Sequence, residues 1–134
     1  MLQYKPFGAE LLNDVKALYE KEDWKAYLSN DTMLRDAFES SLWIYGAFEG
    51  DHLVGFVRCV GDGQHILLVQ DLLVDPEYRG QGIGTTLFKA AWEKYAHVRM
   101  FMVITDIMEP GANRFYQRHG MKPLEKGGMI GYFR

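Results

Sequence analysis

The feature of this sequence that most constrains its fold is an apolar strand followed by a glycine-rich loop and a helix. Residues 65–74, HILLVQDLLV, form an almost unbroken run of branched apolar side chains, which is typical of a strand buried on both faces. Pro76 ends this strand because it cannot donate a backbone hydrogen bond. Residues 79–84, RGQGIG, come next, and apolar side chains then recur at helical spacing over residues 83–95. The loop therefore leads into a helix N-terminus, whose unpaired N–H groups and positive dipole end bind phosphate well.

The spacing of the glycines distinguishes between the phosphate-binding loops that could occur here. A P-loop requires a Lys directly after its last glycine, and Thr85 follows Gly84 instead. A dinucleotide-binding loop would use Asp106, at the end of the next predicted strand, to bind a ribose. However, Thr85 also occupies the third glycine position of that loop, and a start at residue 80 of 134 leaves too little chain for a doubly wound sheet. A tight strand-to-helix turn without a ligand remains as the alternative.

Residues 74–84, VDPEYRGQGIG, resemble the acyl-CoA-binding signature of the GNAT family of N-acetyltransferases, Q/R-x-x-G-x-G/A. Arg79, Gly82 and Gly84 occupy its fixed positions, and the preceding V-x-P-x-x-R context fits as well. The resemblance implies that the backbone amides of residues 80–85 hold the CoA pyrophosphate and that the end of the preceding strand pairs with the pantetheine arm. The residues that it implies for binding acetyl-CoA are Leu72, Leu73, Val74, Arg79, Gly80, Gln81, Gly82, Ile83, Gly84, Thr85, Asn113 and Tyr116.

Composition narrows the class of protein without identifying it. With 134 residues, 48% of them hydrophobic, the chain is expected to form one domain, residues 1–134, with a well-packed core. A net charge of −3 argues against a nucleic-acid partner. Cys59 is the single cysteine, which fits a reducing cytoplasm, and the 4 histidines lack ligand spacing, so no metal is expected. No apolar run approaches the roughly 18 residues that span a bilayer and no signal-peptide core is present, so we expect a cytoplasmic protein without a membrane partner.

The hydrophobic periodicity predicts strands and helices along the whole chain. Strands are expected at residues 2–5, 42–48, 53–60, 65–74, 98–105, 121–124 and 129–134. One helix follows the first strand, a second starts at the cap Asp31 and buries Met33, and a third follows the glycine loop. The last runs from Pro110 to a cap at Gly120. The order β-α-α-β-β-β-α-β-α-β-β is that of the GNAT fold, an α/β (α+β) architecture. The resemblance implies a central mixed, mostly antiparallel sheet with a splayed parallel strand pair that admits acyl-CoA.

The reaction implied by the resemblance needs a hydrogen-bond donor to the developing oxyanion and a proton for the departing thiolate. By resemblance the oxyanion donor is the backbone N–H of Leu72. Residues 115–121, FYQRHGM, are similar to the family's F-Y-x-x-x-G-F segment, whose tyrosine, here Tyr116, acts as general acid beside the CoA sulfur. A phenol suits this step, and a core tyrosine with a satisfied hydroxyl is the alternative.

One position of the family's pattern differs in this chain. Relatives often carry an asparagine seven residues before the tyrosine, where this sequence has Glu109. Asn113, which shares a helix face with Tyr116 at a spacing of three residues, is a candidate substitute for contacting the pantetheine arm. A solvated or capping asparagine is the alternative role for Asn113.

No residue of the sequence is a clear general base. Many relatives place a Glu or His four positions before Val74, facing the acceptor amine, and this chain has Gln70, which cannot take up a proton at neutral pH. Asp71 is the neighbouring candidate, but strand alternation directs it to the opposite face unless a β-bulge re-aims it. A structural carboxylate with a hydrogen-bonding partner is the alternative role for Asp71. A water chain, or an acceptor that arrives neutral, would make a side-chain base unnecessary.

These observations predict an acetyl-CoA-dependent N-acetyltransferase that acetylates a primary amine of a small molecule by direct attack on the thioester. The alternative is a CoA-binding sensor or interaction module, which Gln70 at the base position favours and Tyr116 does not. A nicotinamide-dependent redox protein is a third reading, based on the glycines alone. The expected partners are acetyl-CoA, a small amine and, by resemblance, a second copy of the chain in a homodimer.

Overall fold

Five strands form one mixed sheet in the first part of the chain. The structure is a computed structural model that describes residues 1–134, and it divides into two units, Met1–Val103 and Ile104–Arg134. The sheet belongs to the first unit and has the order β1-β2-β3-β4-β5. Its strands are β1 Leu2–Pro6, β2 Trp43–Glu49, β3 His52–Gly61, β4 Ile66–Val74 and β5 Met100–Val103. Strands β1 to β4 pair antiparallel and β4 pairs with β5 in parallel, which confirms the predicted mixed, mostly antiparallel sheet.

Helices cover both faces of this sheet. Helices α1 Leu12–Lys21 and α2 Asp31–Glu39 pack on one face, and α3 Ile83–Lys94 packs on the other. Consecutive residues of β3 show this division, because Phe56 belongs to the core with α1 and α2 whereas Val57 belongs to the core with α3. A sheet covered on both faces explains why β4 is apolar along almost its whole length. None of the helices combines the length and the apolar character that crossing a membrane would require.

The parallel pair is short, and its pairing stops at Val69 because β5 ends at Val103. The register matches Ile66 to Met100 and Val69 to Val103. Strand β4 then continues to Val74, and no other strand accompanies it on the side of β5. The predicted parallel pair is therefore present, and β5 is shorter than the predicted residues 98–105.

The second unit, Ile104–Arg134, contains one α-helix and no strand. Helix α4, Pro110–Arg118, starts at the predicted proline, and Gly120 follows its end at a φ of 87°. The strands predicted at residues 121–124 and 129–134 are wrong, because a 3₁₀ turn covers Leu124–Gly127 and the flanking residues have no regular structure. Strand propensity stabilises a strand only where a partner ladder exists, and neither segment pairs with another strand.

Two predictions about α2 are also wrong. Its cap is Asn30, whose Oδ1 accepts a hydrogen bond from the Met33 N–H at 3.0 Å, and Asp31 is the first helical residue. Both residue types cap helices, and the extended backbone of Asn30 (φ −152°, ψ 103°) decides between them. Met33 is 67% exposed, whereas Leu34 and Phe38 are buried. The apolar face of this helix is therefore narrower than predicted.

Candidate functional site

The glycine loop joins β4 to α3 through two left-handed residues. Asp75 Oδ1 accepts a hydrogen bond from the Glu77 N–H at 2.9 Å and starts a single 3₁₀ turn, Pro76–Tyr78. Gly80 and Gly82 then adopt φ angles of 82° and 80°, which residues with a Cβ rarely adopt. Nothing lies within 4 Å of the place where a Cβ would stand at either position. Backbone conformation, and not crowding, is therefore what requires glycine in this loop.

Helix α3 begins with a set of backbone hydrogen-bond donors. The Thr86 N–H donates to the Gly82 carbonyl at 3.0 Å, so the N–H groups of Ile83, Gly84 and Thr85 come before the first intrahelical bond. Gly82 is the cap residue, so no side chain takes up these donors at the cap position. Donors at the positive end of a helix bind anions, and the donor chemistry of this segment fits a pyrophosphate group.

Ion pairs connect the loop to the end of α1. Lys21 Nζ lies 2.6 Å from Asp75 Oδ2, and Arg79 pairs with Glu22. Burial alone would raise the pKa of the Asp75 carboxyl, but the hydrogen bonds from Lys21 and the Glu77 N–H outweigh burial and hold that pKa below its ordinary value. The Asp75 carboxylate is therefore ionised at neutral pH and holds α1 against the start of the loop.

A β-bulge lies in the middle of β4. Arg58 of β3 pairs with Asp71, while the next residue of β3 pairs with Val69, so Gln70 has no partner in the ladder. Gln70 and Asp71 are consecutive, yet both reach the hydroxyl of Tyr27, with Gln70 Nε2 at 3.0 Å and Asp71 Oδ1 at 2.7 Å from it. A regular strand would direct these two side chains to opposite faces. The bulge that could re-aim Asp71 is thus present.

Asp71 is the centre of a buried hydrogen-bond network. Its side chain is only 1% exposed. Asp71 Oδ2 accepts from the Tyr19 hydroxyl at 2.7 Å and from Arg58 Nε at 2.6 Å, and Oδ1 accepts from the Tyr27 hydroxyl. These donors satisfy both oxygens of the carboxylate. Of the two roles that the sequence leaves open for Asp71, the contacts favour the structural one over the general base.

The two tyrosines of this network are held as neutral phenols. Burial and the nearby charge of Asp71 raise the pKa of Tyr19 and Tyr27 above the ordinary value for tyrosine. The two rings stack with their centroids 4.4 Å apart. Each phenol uses its single O–H to donate to Asp71. Neither tyrosine is therefore available as a general base at neutral pH.

Sequence reasoning does not identify Tyr19 or Arg58 as part of this site, and it does not predict the contact of Tyr27 with Asp71. A signal for Arg58 exists, because it is the single cation of the apolar strand β3 and Asp71 is the single anion of β4. Lone opposite charges in neighbouring buried strands imply a buried pair. Tyr27 gives no comparable signal, since it lies in an irregular segment that folds as the 3₁₀ turn Lys25–Leu28.

The end of β4 has one edge without a neighbouring strand. Leu73 is buried in the core with α1 and α2, and Leu72 and Val74 are half-buried against the core with α3. Strand β3 pairs with these residues on one edge, whereas β5 ends opposite Val69 on the other. By resemblance, the backbone along this open edge would bind the pantetheine arm, and its Leu72 N–H would donate to the oxyanion.

In the second unit, α4 carries the other two predicted site residues. Asn113 Nδ2 donates to the carbonyls of Asp106, Ile107 and Glu109 at 3.1, 3.4 and 2.8 Å. These bonds hold the turn before the helix and favour the capping role for Asn113. Tyr116 is half-buried, and burial raises its pKa to about 12, so the phenol keeps its proton at neutral pH.

The chain matches the model of one protein family over most of its length. That family is described as the acetyltransferase (GNAT) family, and the match covers residues 8–121. The chain is 29% identical over 119 residues to a candidate ribosomal protein bS18 alanine N-acetyltransferase of Bacillus subtilis, in a match that covers 84% of this chain and 77% of that protein. It spans about half the length of two other curated N-acetyltransferases that it matches, 57% of one and 50% of the other.

Solved structures with the same fold include both related and distant proteins. A GNAT family acetyltransferase from Streptococcus pneumoniae is 35% identical, with a TM-score of 0.86 over 100% of this chain and 97% of that one. An aminoglycoside N-acetyltransferase solved in complex with CoA is 17% identical, with a TM-score of 0.75 over 100% of this chain and 94% of that one. The second similarity is one of fold alone.

Proposed function

The chain belongs to the GNAT family of acetyltransferases, and we propose that it transfers the acetyl group of acetyl-CoA to a primary amine of a small molecule by direct attack on the thioester. The observation that carries this proposal is the loop of residues 79–84, whose two left-handed glycines lead into an α3 N-terminus without a side-chain cap. In this proposal residues 1–134 act together as one acyltransferase domain.

We assign the binding of acetyl-CoA to the glycine loop and to the open edge of β4. The backbone N–H groups of residues 80–85 offer the pyrophosphate several hydrogen bonds at a positive helix end. Arg79, whose side chain is 56% exposed beside Glu22, adds a cation. The backbone of Leu72, Leu73 and Val74 receives the pantetheine arm. Acetyl-CoA supplies the activated acyl group, and these residues hold and orient it.

Two further groups carry the proposed chemistry. The Leu72 N–H donates to the carbonyl oxygen as it becomes an oxyanion, which lowers the barrier to attack because the donor is fixed in place. Tyr116 gives a proton to the departing thiolate, and the raised pKa of about 12 keeps the phenol in the form that can donate. We assign Asp71 to fixing the bulge of β4.

We propose that the acceptor is an amine because the names of similar proteins specify acceptors that carry an amine. The Bacillus subtilis relative is named for the alanine amine of a ribosomal protein, and the CoA-bound structure is named for aminoglycosides. These acceptors share a primary amine and little else. They therefore support the chemical class of the acceptor and leave its identity to experiment.

A CoA-binding sensor is the second candidate function. The observation that favours it is the lack of a titratable base at the bulge, where Gln70 cannot take up a proton and Asp71 is buried among its donors. A sensor would bind acetyl-CoA without releasing a thiol when amines are added. Release of free CoA thiol is therefore the readout that separates the two candidates.

The experiment that tests the proposal measures thiol release from acetyl-CoA across a panel of small primary amines, with mass spectrometry of the acetylated product. We expect amine-dependent release, and we expect Tyr116→Phe to lower kcat by roughly 100-fold with little change in the KM for acetyl-CoA. Tyr132→Phe is the matched control, because Tyr132 is 88% exposed in the same unit and has no assigned role. Binding of acetyl-CoA without thiol release for any amine would favour the sensor instead.

A further inference from the structure

The hydrogen-bond network at the bulge fixes the orientation of the Gln70 amide. Tyr27 has one O–H proton, which goes to Asp71 Oδ1 at 2.7 Å. The Tyr27 oxygen can then only accept, and it does so from Gln70 Nε2 at 3.0 Å and from Arg58 Nη2 at 3.4 Å. The nitrogen of the Gln70 amide must therefore face Tyr27. Gln70 is exposed, so its Oε1 is the outermost hydrogen-bond acceptor of this network.

Apart from the buried Asp71 carboxylate, whose oxygens already accept from three donors, the groups that face Gln70 and Tyr27 offer no proton acceptor. Four titratable side chains meet here, one each from α1, the 3₁₀ turn, β3 and β4: Tyr19, Tyr27, Arg58 and Asp71. Both phenols already donate to Asp71, and Arg58 is a buried cation. Ser41, which precedes β2, adds only a hydroxyl 3.2 Å from Arg58 Nη1. The exposed end of the network is therefore a neutral amide oxygen.

We propose that Gln70 Oε1 accepts a hydrogen bond from the acceptor amine, and that the protein consequently selects amines that are already unprotonated in solution. This inference rests on the proposed acetyl transfer. A neutral primary amine has two N–H donors and a lone pair, so one N–H can bond to Oε1 while the lone pair attacks the thioester carbon. An amide oxygen lacks the negative charge with which a carboxylate would hold an ammonium ion.

The proton balance of the reaction agrees with this selection. A neutral amine forms the new N–C bond as the C–S bond breaks. Tyr116 gives its proton to the departing thiolate, and the proton that the amine nitrogen loses returns to Tyr116. Amine and thioester thus become amide and thiol with no net proton released. A separate general base would be needed only to remove the additional proton of an ammonium ion.

The consequence for substrate class follows from the basicity of amines. At pH 7.5 roughly a quarter of an α-amino group with a pKa near 8 is neutral, against about one in a thousand of a lysine side chain with a pKa of about 10.4. We expect kcat/KM at this pH to favour an unblocked tripeptide over Nα-acetyl-lysine amide by on the order of 100-fold. This preference should shrink as the pH approaches 10.

The test is the pH dependence of kcat/KM for several amines of different basicity. We expect the apparent pKa to follow that of each amine in the wild-type protein. Gln70→Glu should add one further inflection to the pH profile of kcat/KM, at the same pH for every amine. It should also raise the activity toward lysine-type amines near neutral pH. An inflection between pH 6 and 8 in the wild-type protein that is the same for every amine would overturn the inference, while leaving acetyl transfer itself intact. A lack of acetyl transfer to every amine at every pH would overturn both.

The role of Tyr27 in positioning Gln70 has its own matched control. Tyr27→Phe and Tyr19→Phe each remove one donor from Asp71, but only the first removes the hydrogen-bond partner of Gln70. We expect Tyr27→Phe to raise the acceptor KM about three- to tenfold with an unchanged pH profile, and Tyr19→Phe to raise that KM less. An equal acceptor KM in the two variants would contradict the assignment of Gln70.

Discussion

At the scale of single residues, we expect Gly82 to be the position at which the proposed acetyl-CoA site is most sensitive to substitution. A side chain at its φ of 80° costs about 1–2 kcal/mol, and relaxing that strain would turn the N–H groups at the start of α3 away from a phosphate. We expect Gly82→Ala to weaken acetyl-CoA binding at least tenfold in a calorimetric titration. Gly50→Ala is the matched control, because Gly50 has a φ of 61° and equally open surroundings. Equal weakening in the two variants would contradict the role of the loop.

The buried pair between Arg58 and Asp71 also makes a prediction for single residues. Asp71→Ala leaves the Arg58 guanidinium buried without its anion, and we expect the free energy of unfolding to fall by about 3–5 kcal/mol in a urea titration. The double variant Arg58→Met with Asp71→Leu removes both charges and should be destabilised far less than the sum of the single changes. Additive losses would show that the two side chains do not act as a pair.

The site could be predicted from the sequence only where local patterns determine it. Gly80 and Gly82 indicate a left-handed backbone conformation, and the V-x-P-x-x-R context places the loop after a strand. The conformation of the loop and its position can therefore both be predicted from the sequence. The contact between Tyr27 and Gln70 joins residues 43 positions apart across a bulge. Its existence depends on the pairing register of β3 with β4, which no local pattern reports.

At the scale of elements, the turn between β3 and β4 depends on a single carboxylate. Asp62 Oδ1 accepts from the N–H groups of Gln64, His65 and Ile66 at 2.8, 2.8 and 3.0 Å, and these bonds lower the pKa of Asp62 to about 2. Because the folded pKa lies below the unfolded value of about 3.9, this contribution is present in full above about pH 5 and is lost as the pH falls toward 2.

A substitution that keeps the oxygen and removes the charge tests this turn. We expect the Tm of the wild-type protein to fall more steeply between pH 5 and pH 2 than that of Asp62→Asn, since an amide has no proton to take up. Thermal unfolding of the two proteins at a series of pH values measures the difference. Parallel curves of Tm against pH would show that the ionised Asp62 carboxylate does not stabilise the folded protein.

Most elements of the fold are predictable because hydrophobic periodicity is a local property. The five strands of the sheet and the buried face of α1 follow from it directly. The strands predicted at residues 121–124 and 129–134 fail for the opposite reason. The alternation and apolar content of these segments are typical of a strand, but a strand is stable only when it pairs with another one. Residues 126–128, which lie between the two segments, form the end of the 3₁₀ turn Leu124–Gly127 and its cap instead.

At the scale of the whole molecule, the homodimer expected from the resemblance stays a prediction. Large apolar side chains at the end of the second unit are exposed, with Ile130 at 72%, Tyr132 at 88% and Phe133 at 99%. Sedimentation equilibrium over a hundredfold range of concentration measures the state of association directly. A dimer mass at every concentration is the expected result, and a constant monomer mass would contradict it.

The measurement that tests the proposed acetyl-CoA site most directly is a thermal-shift titration with acetyl-CoA, compared with a parallel titration with NADH. A ligand that binds only the folded protein stabilises it in proportion to ln(1 + [L]/Kd), which is about 2.7 kcal/mol at one hundred times Kd. We predict a saturable rise in Tm with acetyl-CoA and none with NADH. No shift at millimolar acetyl-CoA, or an equal shift with NADH, would contradict the assignment of residues 79–85 as an acetyl-CoA site and with it the proposed acetyl transfer.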